Sequence, residues 1–462
     1  MRYISTRGQA PVLGFEQAML TGLARDGGLY LPETIPAFTP VQIAEMDGLP
    51  YEEIAFRVVK PFTGGDFSDA ELRSAIARAY QGFAHPARAP LKQLAPGHHL
   101  LELFHGPTLA FKDFAMQLIG QLFQIALARS GQRITIVGAT SGDTGSAAIE
   151  AFRGLPNVDV FILFPHGRVS EVQRRQMTTP ADSNVHALAV DGHFDDCQAR
   201  VKDLFNDHDF RDTVGLAGVN SINWARVLAQ VVYYFTAAAS LGAPHRKVSF
   251  TVPTGNFGDI FAGSIARDMG LPIDRLVIAT NQNDILDRAL RSGEYRMGAV
   301  EPSISPSMDI QVSSNFERAL FLAYGRDAGA VAQLMDELKS GGFTISQGAL
   351  QALRERFDSG RASEDQTRDM IRTIRDETAD VICPHTAVAV KVAREHCRPG
   401  VPMITLATAH PAKFPDAVQQ ATGIRPGLPP HMAGLFDLPE RVTRVENDLG
   451  ALKSLILDRR TA

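Results

Sequence analysis

The hydrophobic positions of this chain change period several times, and the changes divide it. Near the start, Phe15, Ala18, Met19 and Gly22 recur at helical spacing within Phe15–Leu23, until the Asp26-Gly27-Gly28 turn. A second helix is predicted from an Asp69 cap to Tyr80, with Leu72, Ile76 and Ala79 on one stripe. Pro86, Pro90, Pro96 and Gly97 then crowd into His85–Gly97, which reads as a connector closing a small mixed segment.

Beyond the connector, short apolar runs alternate with helical stripes. Strands are predicted at Arg133–Val137, Val158–Phe164, Val185–Val190, Val248–Val252, Arg275–Thr280 and Pro402–Ala407. Helices are predicted at Gly145–Phe152, Asp195–Phe205, Ile260–Asp268, Gln366–Ala379, Thr386–His396 and Glu440–Arg459. This alternation implies βαβ units with right-handed crossovers, a mostly parallel sheet and an α/β fold. Ligands of open α/β sheets lie beyond the carboxyl ends of the strands. Three polar stretches stand at such ends: Thr140–Gly145, Gly255–Asp259 and Thr408–His410.

Composition narrows the classes of function. The 462 residues suffice for two or three domains, and 45% hydrophobic with 21% charged residues is ordinary for a soluble globular chain. A net charge of −5 without a run of like charges disfavours nucleic acid and anionic membrane as partners. Any anion must therefore be held by a local cluster. Cys197, Cys383 and Cys397 are far apart and form no CxxC pair, which points away from disulfides and zinc and toward a reducing compartment. The opening MRYISTRGQAP is polar, and no apolar run reaches the length of a signal core or a membrane span. A cytoplasmic location is expected. No HExxH, paired C-x-x-C/His or EF-hand spacing occurs, so no metal site is expected.

Candidate chemistry centres on Leu103–Gln117, LFHGPTLAFKDFAMQ, where the Gly106-Pro107 turn leads to Lys112 in an apolar setting. A desolvated ammonium loses proton affinity or finds a partner, and a lowered pKa suits an amine that attacks a carbonyl. Taken alone, Lys112 is better read as solvent-reaching or as paired with Asp113; the later segments change that balance. Gly255-Asn256-Phe257-Gly258-Asp259 follows a strand and opens a helix, as phosphate-binding loops do. An ordinary tight loop capped by Asp259 has the same local pattern. Thr140-Ser141-Gly142-Asp143-Thr144-Gly145 suits a small anion or is a capped helix start. Asn220 and Arg226, six apart around Ser221, suit a phosphate through the planar guanidinium fork, or form a capped helix with a surface arginine. His410 and Lys413 in TAHPAKF read locally as a capped turn and an exposed lysine.

Together HGPTLAFKDF, SGDTG, the Asn220–Arg226 cluster and TAHPAKF resemble the threonine synthase family, in the family's order. YISTRG and LARDGGLYLPE extend the resemblance to the N-terminus, in the manner of the longer microbial and fungal type. It implies a fold-type-II pyridoxal-phosphate (PLP) enzyme with two open twisted, mostly parallel sheets flanked by helices, plus a small N-terminal domain. The implied domains are 1–95, a large PLP-binding domain of 96–115 and 235–462, and a smaller mobile domain of 116–234. By resemblance Lys112 carries PLP and serves as the acid–base group. Gly255, Asn256, Phe257, Gly258 and Asp259 grip the cofactor phosphate, and Thr408 bonds the pyridine nitrogen. Thr140, Ser141, Asp143 and Thr144 lie near substrate, while Arg168, Asn220, Ser221 and Arg226 serve its phosphate. The implied substrate is O-phospho-L-homoserine, which reacts with water to give L-threonine and phosphate, in a monomer or homodimer. Three positions depart from the pattern: Asp143 stands where related lyases carry Asn, Arg168 where relatives often have Lys, and Cys383 where they commonly have Asp. The rival readings are a dehydratase or phospho-lyase on the same fold, a non-catalytic binding protein on its scaffold, and a nucleotide-dependent oxidoreductase. The last is weakened by the missing dinucleotide fingerprint.

Overall fold

The computed structural model describes residues 1–460. Two parallel-rich sheets form its centre. The larger runs Phe357–Arg361, Ile273–Thr280, Val248–Pro253, Met403–Ala407, His98–Glu102 and Leu91–Ala95 in spatial order. All neighbours are parallel except the last pair, an antiparallel hairpin at the edge. The smaller sheet runs Thr443–Val445, Val185–Val190, Val158–Pro165, Ile134–Ala139 and Leu216–Ala217, parallel throughout. Helices cover both faces of such sheets, so the strands read as unbroken apolar runs. Val158–Pro165 is buried at every position.

The strands expected from the alternation are all present, each within two residues of its predicted limits. The N-terminal segment is richer than its pattern suggested. Pro40–Ala44 and Tyr51–Val59 are additional helices, and Leu91–Ala95 makes a strand inside the presumed connector. The cap of the Asp69–Tyr80 helix is Ser68, not Asp69: Ser68 and Glu71 form a reciprocal capping box. This segment is tied to the helix that begins at Lys112. Tyr80 donates to the Phe114 carbonyl at 3.0 Å, and the rings of Tyr51, Tyr80 and Phe83 pack on Phe114.

The expected helix over Glu440–Arg459 is divided. Thr443–Val445 is a strand at the edge of the smaller sheet, and only Leu449–Arg459 is helical, with Leu452 and Ile456 in that sheet's core. The end of the chain therefore joins the smaller sheet rather than the body expected for 235–462. The boundaries at 115 and 234 fall inside the helices Lys112–Ser130 and Trp224–Ser240. Among the described residues no helix is long and apolar enough to cross a membrane.

Candidate active site

Lys112 is placed by two loops stitched together at the carboxyl edge of the larger sheet. The Leu103 amide donates to the Ala407 carbonyl, the Phe111 amide to Thr408 at 2.8 Å, and the His410 amide to Leu109 at 3.0 Å. Leu109 takes a left-handed backbone (φ 63°), a strained choice for a branched residue that these bonds hold in place. Asp113 turns back on the loop and accepts the Thr108 amide and hydroxyl at 2.8 and 2.6 Å. That fold requires glycine at 106, where a Cβ would lie 2.5 Å from Asp113. The lysine opens the Lys112–Ser130 helix with 8% of its surface exposed.

Its partner is Asp143 rather than Asp113, with Nζ 3.3 Å from Oδ2. Asp143 begins the Asp143–Phe152 helix behind a loop that Thr140 holds by accepting the Gly142 and Gly145 amides, each at 2.9 Å. The other oxygen of Asp143 takes Lys413 Nζ at 2.8 Å and Gln173 Nε2 at 2.8 Å. Lys413 is 0% exposed and also donates to the Thr108 carbonyl at 2.7 Å, which corrects its reading as a surface lysine. Burial opposes ionisation of Asp143, but Lys413 and Lys112 outweigh it and hold the carboxyl far below the usual range. For Lys112 burial dominates: its pKa is lowered, opposed by Asp143 and reinforced by Lys413 and Arg226.

The Gly255–Asp259 loop lies between the Val248–Pro253 strand and the Gly258–Asp268 helix. Phe257 is left-handed (φ 64°), and its buried ring packs on Phe316 and Phe357. The Gly255 carbonyl accepts from Ser313 at 2.6 Å, and a Cβ at this glycine would lie 2.5 Å from the Ser307 carbonyl oxygen. No side chain caps the helix that follows, so its first amides remain available to an anion. Asp259 does not cap it; its Oδ1 accepts from Tyr233 and Tyr234, and burial pushes its carboxyl up to about 6. Asn315 joins this loop to the next by donating to the Asn256 carbonyl at 3.0 Å and the Ser221 carbonyl at 2.9 Å. Asn256 and Ser221 are thereby neighbours.

Arg226 lies in the first turn of the Trp224–Ser240 helix, whose cap is Asn223. It is 4% exposed, and burial pulls its pKa down to about 10. One bond to the Val219 carbonyl at 3.2 Å is its recorded partner, its Nε is unsatisfied, and among the described residues no carboxylate pairs with it. Thr408 is buried at the end of the Met403–Ala407 strand, and Ser141 and Thr144 are half-buried beside Asp143. Asn220 and Arg168 are different. Both are exposed. Sequence reasoning missed Gln173, for which no local signal exists, and His385, buried with its Nε2 accepting from the Ser307 amide at 3.2 Å. Cys383 is a cap, accepting from the Thr386 amide.

These features suit PLP: a buried amine of lowered proton affinity, an uncapped helix start behind a glycine-cradled loop, and a buried guanidinium without a counter-ion. Residues 90–408 match the family model for pyridoxal-phosphate dependent enzymes, and fold and site together define a PLP-dependent enzyme of fold type II. Models for the threonine synthase N terminus and C-terminal region match residues 2–80 and 386–456. The threonine synthase of Pseudomonas aeruginosa is 55% identical over 99% of this chain and 98% of its own. The structure of PLP-bound threonine synthase from Brucella melitensis superposes with a TM-score of 0.97 at 57% identity, covering 100% of both chains. That of the yeast threonine synthase gives 0.93 at 41%, covering 99% and 98%. The chain belongs to the threonine synthase family, and its cofactor is pyridoxal phosphate.

Proposed function

We propose that this protein converts O-phospho-L-homoserine and water to L-threonine and phosphate, with Lys112 and Arg226 dividing the work. The observation that carries the assignment is a buried, unpaired guanidinium close enough to a buried amine for their charges to interact. An amine of lowered pKa gives up its proton more readily than an ordinary lysine, and a dehydrated guanidinium holds a phosphate by paired charge-assisted bonds.

The cofactor, attached through Lys112, supplies an electron sink for charge that develops on the substrate's carbon chain. The protein supplies the rest. The Gly255–Gly258 amides hold the cofactor phosphate, Thr408 faces the ring nitrogen, and Asn256 and Ser221 bring the two anion loops together. Lys112 Nζ takes the proton from the α-carbon and returns it at the end. Arg226 holds the γ-phosphate as the Cγ–O bond breaks and its electron pair leaves with phosphate. Cβ gives up one proton and gains the hydroxyl of water, Cγ gains one proton, and the second proton of the water leaves with the phosphate. The departing phosphate orients that water. The smaller sheet, with Ser141–Thr144 on its edge, closes over substrate and excludes bulk solvent. The protein works in the cytoplasm as a monomer or homodimer.

Incubating PLP-loaded protein with O-phospho-L-homoserine tests the reading. Threonine and phosphate form in equal amounts, and Lys112→Ala loses covalent PLP and at least about a thousandfold in turnover. Phosphate with a keto acid would replace the proposal by a phospho-lyase, and normal turnover in Lys112→Ala would remove the lysine from its role.

A further inference from the structure

The reaction just described leaves the buried charge of Lys413 unused. Lys413 is clamped from both ends. Its amide donates to the His410 carbonyl at 3.1 Å, its ammonium donates to the Thr108 carbonyl at 2.7 Å, and Thr108 is itself fixed by Asp113. Asp143 therefore sits between two ammonium groups, tightly bound to one at 2.8 Å and loosely to the other at 3.3 Å. The loosely held one must leave. To attach the cofactor, Lys112 Nζ loses a proton to solvent and its lone pair bonds the aldehyde carbon. The aldehyde oxygen departs as water with the two remaining amine hydrogens. If Lys112 were the only counter-ion, that step would strand a buried carboxylate, which is costly.

We propose that Lys413 is a positioning residue for Lys112, acting as the standing counter-ion of Asp143. It keeps the carboxylate neutralised when Lys112 bonds the cofactor, and frees the Lys112 amine to deprotonate when it is released. The inference rests on Lys112 being the cofactor lysine. Other charges also face that amine: Arg226 from the Trp224–Ser240 helix, Asp259 from the Gly258–Asp268 helix and His385 from the Pro384–His396 helix. Burial holds His385 neutral with a pKa of about 4. Arg226 and Asp259 are common to every variant below, so differences among the variants report the Asp143–Lys413 pair.

The test is the rate at which apo-protein attaches PLP, followed by visible absorbance across pH, with the attachment point confirmed by borohydride reduction and peptide mapping. Only neutral amine reacts, so the rate midpoint reports Lys112. Lys413→Met removes a repelling cation, and the midpoint moves to higher pH by about one unit, making attachment about tenfold slower below it. Asp143→Asn moves the midpoint the other way. The double variant removes a neutral pair and returns close to the parent. A purely structural lysine would slow attachment without moving midpoints in opposite directions, and unmoved midpoints overturn the proposal. If Lys413→Met does not fold, the double variant is compared with Asp143→Asn, and its midpoint must be the higher of the two. Failure of the parent to label Lys112 would instead strike the cofactor assignment.

Discussion

Replacing Arg226 by methionine separates a binding charge from a structural one, because the two roles predict opposite changes in stability. Burial lowers the guanidinium to about 10, from an ordinary value above about 12. At about 1.4 kcal/mol per pH unit, holding this charge unpaired destabilises the folded chain by about 3 kcal/mol. The hydrogen bond lost is that to the Val219 carbonyl, a contribution of about 1 kcal/mol. Methionine retains an apolar stem of similar length, so Arg226→Met should be as stable as the parent or up to about 2 kcal/mol more stable. Activity should move the other way, with kcat/KM for O-phospho-L-homoserine falling about a hundredfold or more as the phosphate loses its buried partner. Urea denaturation and steady-state kinetics on the same preparations measure both. Inorganic phosphate should raise the melting temperature of the parent and leave that of the variant unmoved. A variant destabilised by more than about 1 kcal/mol with kcat/KM intact would refute the reasoning and make Arg226 a structural residue.

Gly255→Ala places a Cβ 2.5 Å from the Ser307 carbonyl oxygen, a backbone atom that cannot rotate away, so the loop must shift. PLP affinity should fall about tenfold or more with little change in far-ultraviolet circular dichroism; unchanged affinity in an absorbance titration would separate this loop from the cofactor. Acid should destabilise the protein through His98 and His385, both buried and held near 4 by desolvation. The unfolded chain binds protons there that the folded chain excludes. The stability these neutral rings contribute is therefore complete above about pH 6.5 and lost as pH falls toward 4, by about 1–2 kcal/mol each at pH 5. Asp113 and Asp259, raised to about 6 by burial, pull the other way, so the comparison is with a His98→Asn/His385→Asn variant. Its loss of stability between pH 7.5 and 5 should be shallower than the parent's, and an equal loss would contradict the assignment.

What the sequence made legible was whatever local pattern controls. Parallel strands such as Val158–Pro165 announce themselves because both faces are buried, and the glycine loops stand where strands end. Lys112 was visible as a cation in an apolar run beside a turn. Its partner was not: Asp113 is adjacent in the chain, yet its side chain turns to Thr108, and Asp143 stands thirty-one positions further on, beyond a helix and a strand. Lys413 is harder still, because nothing in PAKF distinguishes a lysine that reaches water from one folded over Thr108. The last strand, Thr443–Val445, is three residues long and pairs with Val185–Val190, too far away for any local period to show. In each case a contact between distant segments decided the outcome.

Four buried cations show why burial alone could not have sorted the site. Arg318 is as enclosed as any, at 0% exposed, and is lowered further than Arg226, to about 9. Yet four of its five donors are matched: two meet the Tyr30 carbonyl, one the Ile222 carbonyl and one the Asn315 side chain. That arginine joins the N-terminal segment to the anion loops and is largely spent on them. Lys413 is matched as well, by one carboxylate and one carbonyl. Lys112 has a single long hydrogen bond and the face of the Phe111 ring, and Arg226 a single carbonyl with an orphaned Nε. Burial of all four therefore leaves two fixed cations and two with unspent bonding capacity. It is the unspent pair that the proposed reaction needs, one for the reacting carbon and one for the leaving phosphate.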